Sequence, residues 1–293
     1  ERVYALIMED LEAAQNDLPT SVGAETGKAS AGAAKLLLAN VYLTLGQWEK
    51  AATKAEEVIT SGVYSLVEVD KPDDFYKIFA TQTSSEDVFS VHHSENRFSE
   101  IPLYLHRGDT PPYNYSSRGF WAWIPKTNSF IGSSWDNNDM RKSFNLYTKH
   151  LDRNGNEVNL PSTSPILFKK FISNSAGLNV YSLPILRYAE AFLIYAEAAA
   201  LANNAVTPLA LERLNIIKRR AYGYPLNAVS PVDYMAAADA SAFQDVVLLE
   251  RGYEFILEAK RWWDLKRTGK VKSAFQAVGK TYMDERLLFP IPE

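Results

Sequence analysis

The sequence predicts a mainly α-helical protein in which paired helices flank a long irregular region. Apolar residues recur at three- and four-residue steps towards both ends of the 293-residue chain, as they do along the buried face of a helix. In the middle this period fades, and Pro, Gly, Ser, Asn and aromatic residues dominate. Three regions are therefore predicted: helices over 1–66, a loop-rich region over 67–183, and helices over 184–293. With 46% hydrophobic residues, the chain can bury a substantial core.

The N-terminal region contains three predicted amphipathic helices. The first covers Glu1 to Leu18, and the proline that follows ends it. The next two, Ala31 to Leu45 and Gln47 to Ser61, are separated by Gly46 and form a helical hairpin. Eight small, aliphatic and aromatic residues of this hairpin fall at the offsets of a tetratricopeptide repeat. In such a repeat the small residues let two helices approach closely. The eight residues are Leu38, Ala39, Tyr42, Gly46, Trp48, Ala51, Ala55 and Val58.

The middle region carries only short strand-like runs, Asp87 to Val91 and Ile166 to Ile172. Asn154 and Gly155, between two further runs, predict a hairpin turn. Irregular segments of this length are usually functional when they lie inside a compact domain. The middle region is therefore where a binding site is expected.

Helices resume in the C-terminal region. One is predicted to start at Leu186, and Thr207 and Pro208 predict the N-cap and first turn of a second helix that pairs with it. The last long helix is predicted over Ser241 to Gly269, with Gln244 completing a capping box at its start. The predicted fold class is thus mainly α, with tetratricopeptide-like helical hairpins on either side of a loop-rich ligand-binding region.

Five ordered segments resemble the SusD/RagB family of outer-membrane nutrient-binding proteins. Family members usually carry Glu-Gly ahead of the arginine in the last helix, whereas this chain has Glu258 and Ala259 ahead of Arg261. Because a small residue is kept there, the packing is expected to be kept as well. The five segments are AAKLLLANVYLTLGQWEKAATKAEEVITSGVYSL (33–66), LRYAEAFLIYAEAAALAN (186–203), LNIIKRRAYG (214–223), VLLERGYEFILEAKRWWDLKRTGKV (247–271) and LLFPIPE (287–293).

The resemblance implies a single SusD-like unit, a tetratricopeptide-like scaffold that carries an irregular ligand-binding face. It also implies a protein without enzymatic activity, tethered by lipid to the outer membrane at the cell surface of Bacteroidota. The implied partners are a glycan and a SusC-like TonB-dependent transporter. Family members are longer, so the chain is expected to be the C-terminal two-thirds of such a protein. The early helices and the lipid-bearing cysteine would then precede Glu1.

Aromatic residues are concentrated between Phe98 and Trp135, at about twice the 12% average of the chain. An exposed Trp or Tyr can stack on the apolar C–H face of a sugar ring, while nearby Asn or Arg side chains bond its hydroxyl groups. The candidate glycan-binding residues, which combine these side chains in one short segment, are Tyr113, Asn114, Tyr115, Arg118, Trp121 and Trp123.

Two of these candidates, Trp121 and Trp123, have the same parity. In an extended segment their side chains would therefore point to the same side and could form a platform. The alternative for the whole cluster is a satellite core packed beneath a loop. Trp135 is expected to belong to the core.

Three other functions stay open at this stage. Peptide capture by a RagB-like protein would need exposed strand edges and side-chain pockets. A plain tetratricopeptide scaffold would bind a partner protein on its concave helical face. A glycosidase would need two carboxyl groups roughly 5 to 9.5 Å apart. The charged residues of the last helix that could supply them more often form structural ion pairs at this spacing. They are Glu250, Glu254, Glu258, Arg261 and Asp264.

Composition and motifs argue against several other classes. The net charge is −4, with scattered Lys and Arg, so the basic stripe of a nucleic-acid-binding protein is missing. The sequence has no cysteine, and its four histidines lie in no metal-ligand or catalytic pattern, so no metal site or cofactor is predicted. The segment from Gly23 is one residue short of a phosphate loop. The segment from Asp152 has Glu157 where a calcium loop needs glycine.

Overall fold

The computed structural model describes residues 2–79, 83–94, 101–113, 122–124, 134–171 and 182–288. Helices form most of the regular structure in this part of the chain, and its strands are short, so the predicted mainly α fold class is confirmed. Within the same ranges, no helix is long and apolar enough to cross a membrane.

The first three helices lie close to their predicted positions: α1 (Arg2–Asp17), α2 (Ala31–Thr44) and α3 (Trp48–Ile59). The side chain of Ser30 caps α2 by accepting a hydrogen bond from the backbone N–H of Ala33 at 3.2 Å. Between α2 and α3 the chain turns at the predicted glycine, whose φ of +70° is the left-handed conformation that glycine adopts most readily. The predicted hairpin is confirmed.

The middle of the chain contains short helices and strands. In chain order they are a 3₁₀ helix (Pro72–Phe75), α4 (Tyr76–Phe79), β1 (Asp87–His92), α5 (Ile101–Leu105), β2 (Trp123–Ile124), α6 (Met140–Asn145), β3 (Leu146–Tyr147), β4 (Lys149–Leu151), β5 (Glu157–Asn159), β6 (Ile166–Phe168) and β7 (Ser182–Arg187). All their pairings are antiparallel: β1 with β7, β4 with β5, and β2–β6–β3 as a three-stranded sheet. The predicted Asn154-Gly155 turn joins β4 to β5.

The C-terminal helices complete the fold. They are α7 (Tyr188–Ala202), α8 (Pro208–Ala221), α9 (Ala240–Glu254), α10 (Arg261–Arg267), α11 (Val271–Ala277) and a 3₁₀ helix (Asp284–Leu287). The predicted N-cap Thr207 is confirmed, because its hydroxyl accepts from the N–H of Ala210 at 3.2 Å. The main hydrophobic core lies between α2, α3, α7, α8 and α9, with Leu38, Leu193 and Phe243 fully buried.

Two predicted element boundaries are wrong, one start and one end. The helix expected from Leu186 begins at Tyr188, because Leu186 belongs to β7 and pairs with Phe89 of β1. The predicted strand from Ile166 ends at Phe168 rather than continuing to residue 172. At Leu186, pairing with a distant strand decides where the helix begins.

The predicted long helix over 241–269 is also wrong, because the chain forms two helices there, α9 and α10. Between them the backbone of Leu257 (φ +63°) and Ala259 (φ +59°) is left-handed, which no α-helix accommodates. The predicted capping box is absent as well. Asp239 caps α9 by accepting from the N–H of Ala242 at 2.8 Å, and Gln244 instead donates to a glutamate of α7.

Candidate functional site

The three-stranded sheet β2–β6–β3 carries the candidate site. Its register places Trp123 opposite Leu167, and Leu167 opposite Tyr147 on the other side. Residues directly opposite each other in antiparallel strands point to the same face of the sheet. These three side chains therefore form a row across one face, and their neighbours along the strands point to the other.

The other face of this sheet is anchored in the core. It packs with Trp135, Tyr253 and Ile256, which lie buried at the end of α9 and beside it. The rings of Trp135 and Tyr253 are stacked, with centroids 4.6 Å apart, and the indole N–H donates to Asp139 at 2.8 Å. The prediction that Trp135 belongs to the core is confirmed. The sheet is thus a fixed support for whatever its outward face presents.

The outward face changes from exposed to covered across the strands. Trp123 on β2 is 48% exposed, whereas Leu167 and Tyr147 are buried. Tyr113 lies over Tyr147 with ring centroids 4.6 Å apart, which accounts for the burial at the β3 side. We call Trp123, Leu167, Tyr147 and Tyr113 the aromatic face. Its exposed part is the indole of Trp123, which lies beside the buried side chains of Leu167 and Tyr147.

Polar groups border the aromatic face. The ammonium of Lys169 lies 4.9 Å from the ring centroid of Tyr113, and the hydroxyl groups of Thr110 and Tyr147 are hydrogen-bonded at 2.8 Å. Arg107 pairs with Asp109 at 2.6 Å nearby in the chain. An apolar ring surface bordered by hydroxyl and charged groups is the combination that sugar rings require.

Two predicted site residues border the same face of this sheet, since Trp123 belongs to β2 and Tyr113 packs on Tyr147 of β3. The other predicted residues, Asn114, Tyr115, Arg118 and Trp121, lie outside the described residues. Three residues of the site were not predicted, Leu167, Tyr147 and Lys169. Strand alternation could have indicated Lys169, because residues 167 and 169 have the same parity. The Tyr147 contact depends on tertiary pairing, and no local pattern indicates it.

A buried ion network holds this middle region against the C-terminal helices. The carboxylate of Glu254 accepts from Arg187 at 2.6 Å, from Arg220 at 2.5 Å and from Arg141 at 2.9 Å. Glu258 accepts from Lys170, the residue that follows Lys169, at 2.6 Å. All these side chains are almost completely buried. The network therefore connects α6, α8, α9, β7 and the end of β6.

The ion network indicates a structural role, rather than the catalytic role of a glycosidase, for the acidic residues of α9 and the segment after it. Burial on its own raises the pKa of Glu254, but the three guanidinium groups outweigh it and hold the pKa well below its usual range. Glu250, Glu254 and Glu258 are each paired with a cation from a distant part of the chain. The structural interpretation of these carboxylates is correct, although their partners are long-range rather than neighbours on one helix.

A second concave surface lies between α1, α2, β7 and α10. It is a groove of about 520 Å³ lined in part by Tyr4, Leu37 and Trp263. The indole of Trp263 is 53% exposed, close to the exposure of Trp123. Neither Tyr113 nor Trp123, the two predicted site residues that the structure describes, lines this groove, so Trp263 provides a matched comparison for Trp123.

Comparison with known proteins identifies the family. The sequence profile of the SusD family matches residues 93–286, which include the aromatic face and most of the ion network. The chain belongs to the SusD family. It is 26% identical to SusD-like protein P2 of Formosa agariphila, over 90% of this chain and 55% of P2. The chain thus spans about half the length of that SusD relative.

Solved structures of the SusD family share the fold. A SusD superfamily protein from Parabacteroides distasonis aligns with a TM-score of 0.75 and 25% identity, over 97% of this chain and 64% of that one. Surface glycan-binding protein A from Bacteroides thetaiotaomicron aligns with a TM-score of 0.75 and 21% identity, over 99% and 67%. At 21% identity, the similarity to surface glycan-binding protein A shows a shared fold alone.

Proposed function

We propose that this SusD-family chain is a non-catalytic receptor that holds a polysaccharide or oligosaccharide on its aromatic face. The observation that carries the proposal is the indole of Trp123, which is 48% exposed on a sheet whose other face is fixed in the core. A large aromatic surface left in contact with water on a rigid support is suited to stacking against a sugar ring.

Binding of this kind is weak at each contact. A single stacked ring buries little area, so useful retention comes from several contacts along one polymer. Membership of the SusD family supports the rest of the proposal. The complete protein would be held at the outer membrane of a Bacteroidota cell by a lipid anchor. It would pass its glycan to a SusC-like TonB-dependent transporter.

Affinity electrophoresis tests the proposal. The chain is run through gels cast with plant, algal, fungal and host polysaccharides, with bovine serum albumin as the unretarded reference. We expect at least one polysaccharide to retard the chain without release of reducing sugar. Trp123→Ala should lose this retardation, because the substitution removes the exposed stacking surface. Trp263→Ala, which removes an equally exposed indole from the groove, should keep it.

Thermal unfolding separates a lost contact from a lost fold. Because Trp123 is half exposed, its replacement should cost no more than about 1–2 kcal/mol, and the variant should unfold cooperatively. Retention of Trp123→Ala equal to that of the unaltered chain would contradict the site. No retardation by any polysaccharide in a broad panel would contradict glycan binding by this chain and favour peptide capture.

A further inference from the structure

Two adjacent lysines follow β6 and point to opposite faces of the sheet. The N–H of Lys169 donates to the carbonyl of Asn145 at 2.8 Å, so the pairing of β6 with the chain ahead of β3 continues beyond Phe168. Side chains alternate along such a strand. The ammonium of Lys170 accordingly lies inside, where Glu258 and the carbonyl of Ile256 accept from it at 2.6 and 2.9 Å. That of Lys169 lies outside, on the aromatic face.

In the part of the chain that the structure describes, the inner lysine, Lys170, has a carboxylate partner, whereas the outer one, Lys169, has none. Among the residues that the structure describes, no carboxylate forms an ion pair with Lys169. The charge of Asp73 raises the pKa of Lys169, but its carboxylate lies beyond ion-pair distance. Its ammonium instead lies over the ring of Tyr113. Burial lowers the pKa of this amine, as expected for a cation kept partly out of water.

Two other cations in the described part of this region, Arg107 and Lys149, are already paired. Arg107 contacts Asp109 at 2.6 Å, and Lys149 of β4 contacts Glu157 of β5 at 2.6 Å. Within the described ranges, Lys169 therefore provides a positive charge that no side-chain carboxylate neutralises by an ion pair. Holding a cation half-buried without an anion costs free energy, and a bound anion would recover it.

Lys169 is also within reach of a sugar stacked on Trp123. Trp123 is paired with Leu167, so Lys169 lies two residues further along the neighbouring strand. With about 3.4 Å per residue along a strand and about 4.8 Å between strands, the two Cα atoms are about 8 Å apart. The ammonium of Lys169 lies 4.9 Å from the ring centroid of Tyr113, so a glycan that extends from Trp123 across Leu167 towards Tyr113 would bring a substituent to it.

We infer that the glycan held on the aromatic face is acidic, and that Lys169 binds its carboxylate or sulfate group. This inference rests on the proposed function and adds to it the chemical class of the ligand. Trp123 would hold the apolar face of the sugar, and Lys169 would select the charged substituent. Uronic acids and sulfate esters share this chemistry, so the experiment must separate them.

The test uses gels of polygalacturonate, carrageenan and laminarin, which carry carboxylates, sulfates and no charge respectively. The chain is compared with Lys169→Met, which keeps the apolar stem, and with Lys169→Arg, which keeps the charge. Lys149→Met removes one positive charge from the neighbouring hairpin, so it matches the change in electrophoretic mobility. Mobility is measured relative to a gel without polysaccharide, at low and at high salt.

We expect retention by one acidic polysaccharide, and the gel that retains the chain identifies the anionic group. In Lys169→Met the apparent affinity should fall about ten- to a hundredfold, as for loss of a charged hydrogen bond. Lys169→Arg and Lys149→Met should stay within about threefold of the unaltered chain. High salt should weaken the binding of the unaltered chain much more than that of Lys169→Met.

Two results would overturn the inference while leaving the proposed function standing. One is retention by laminarin alone, with Lys169→Met unchanged. The other is an equal loss of neutral and acidic binding in Lys169→Met, which would make Lys169 a support for Tyr113 only. Absence of retention by every polysaccharide, acidic or neutral, would overturn the inference and the proposed function together.

Discussion

Replacement of Ala259 by glycine should stabilise this protein. Ala259 lies between α9 and α10 with φ +59°, and its side chain is exposed. The left-handed conformation costs a residue with a Cβ roughly 1–2 kcal/mol of conformational free energy, and it costs glycine almost none. The greater freedom of glycine in the unfolded chain offsets roughly 0.5–1 kcal/mol of this gain. The net gain in the free energy of unfolding should be about 0.5–1 kcal/mol.

The control for this prediction is Ala236→Gly. Ala236 is also exposed and outside any helix, but its φ is not positive, so only the entropy of the unfolded chain changes. Urea unfolding followed by tryptophan fluorescence should show opposite signs for the same chemical change. Ala259→Gly should raise the midpoint, and Ala236→Gly should lower it.

The result that would refute the reasoning is a loss of stability in Ala259→Gly as large as that in Ala236→Gly. The backbone at residue 259 would then not be left-handed, and α9 would continue towards α10 as the sequence pattern predicts. The same experiment bears on the family resemblance. Relatives that carry glycine after the equivalent glutamate would owe it to this backbone conformation rather than to close packing.

Two further predictions concern buried charge. Arg187→Met should lower the free energy of unfolding by about 3–5 kcal/mol, because it leaves the buried carboxylates of Glu254 and Glu258 with fewer partners. Urea unfolding measures this loss. As a control, Arg153→Met at an exposed position should change the free energy of unfolding by less than about 0.5 kcal/mol. Burial lowers the pKa of His106 to about 4 in the folded protein, whereas a histidine in the unfolded chain titrates at about 6.5. As the pH falls below about 6.5, the unfolded chain binds a proton at His106 that the folded protein does not bind. The free energy of unfolding should therefore fall by about 2 kcal/mol from pH 7 to 5. His106→Gln should remove most of that fall, and an unchanged pH dependence would contradict the assignment.

Local signals predicted the first helices and the turn between α2 and α3, because everything that decides them lies within a few residues. The α2–α3 hairpin follows from apolar spacing and one glycine, and the start of α8 from Thr207 and the proline after it. The break after α9 has no such signal, since helical periodicity continues through it. It is fixed by Glu258, whose partners Arg187 and Lys170 are 71 and 88 residues earlier in the chain.

The candidate site was predictable in kind but not in arrangement. Aromatic density and side-chain types pointed to the segment that holds Tyr113 and Trp123. Their common face exists only because β6 pairs with both β2 and β3, and that pairing joins residues tens of positions apart. Lys169 is separated from the site in sequence for the same reason. Strand alternation separates the two adjacent lysines, but tertiary contacts decide which of them lies on the aromatic face.

A crystal structure of the chain with an oligosaccharide cut from a retained polysaccharide would test the central claim most directly. The account predicts a sugar ring parallel to the indole of Trp123, with carbon atoms in contact at about 4 Å, and an acidic substituent at the ammonium of Lys169. A sugar bound in the groove beside Trp263, with Trp123 free in solvent, would contradict it.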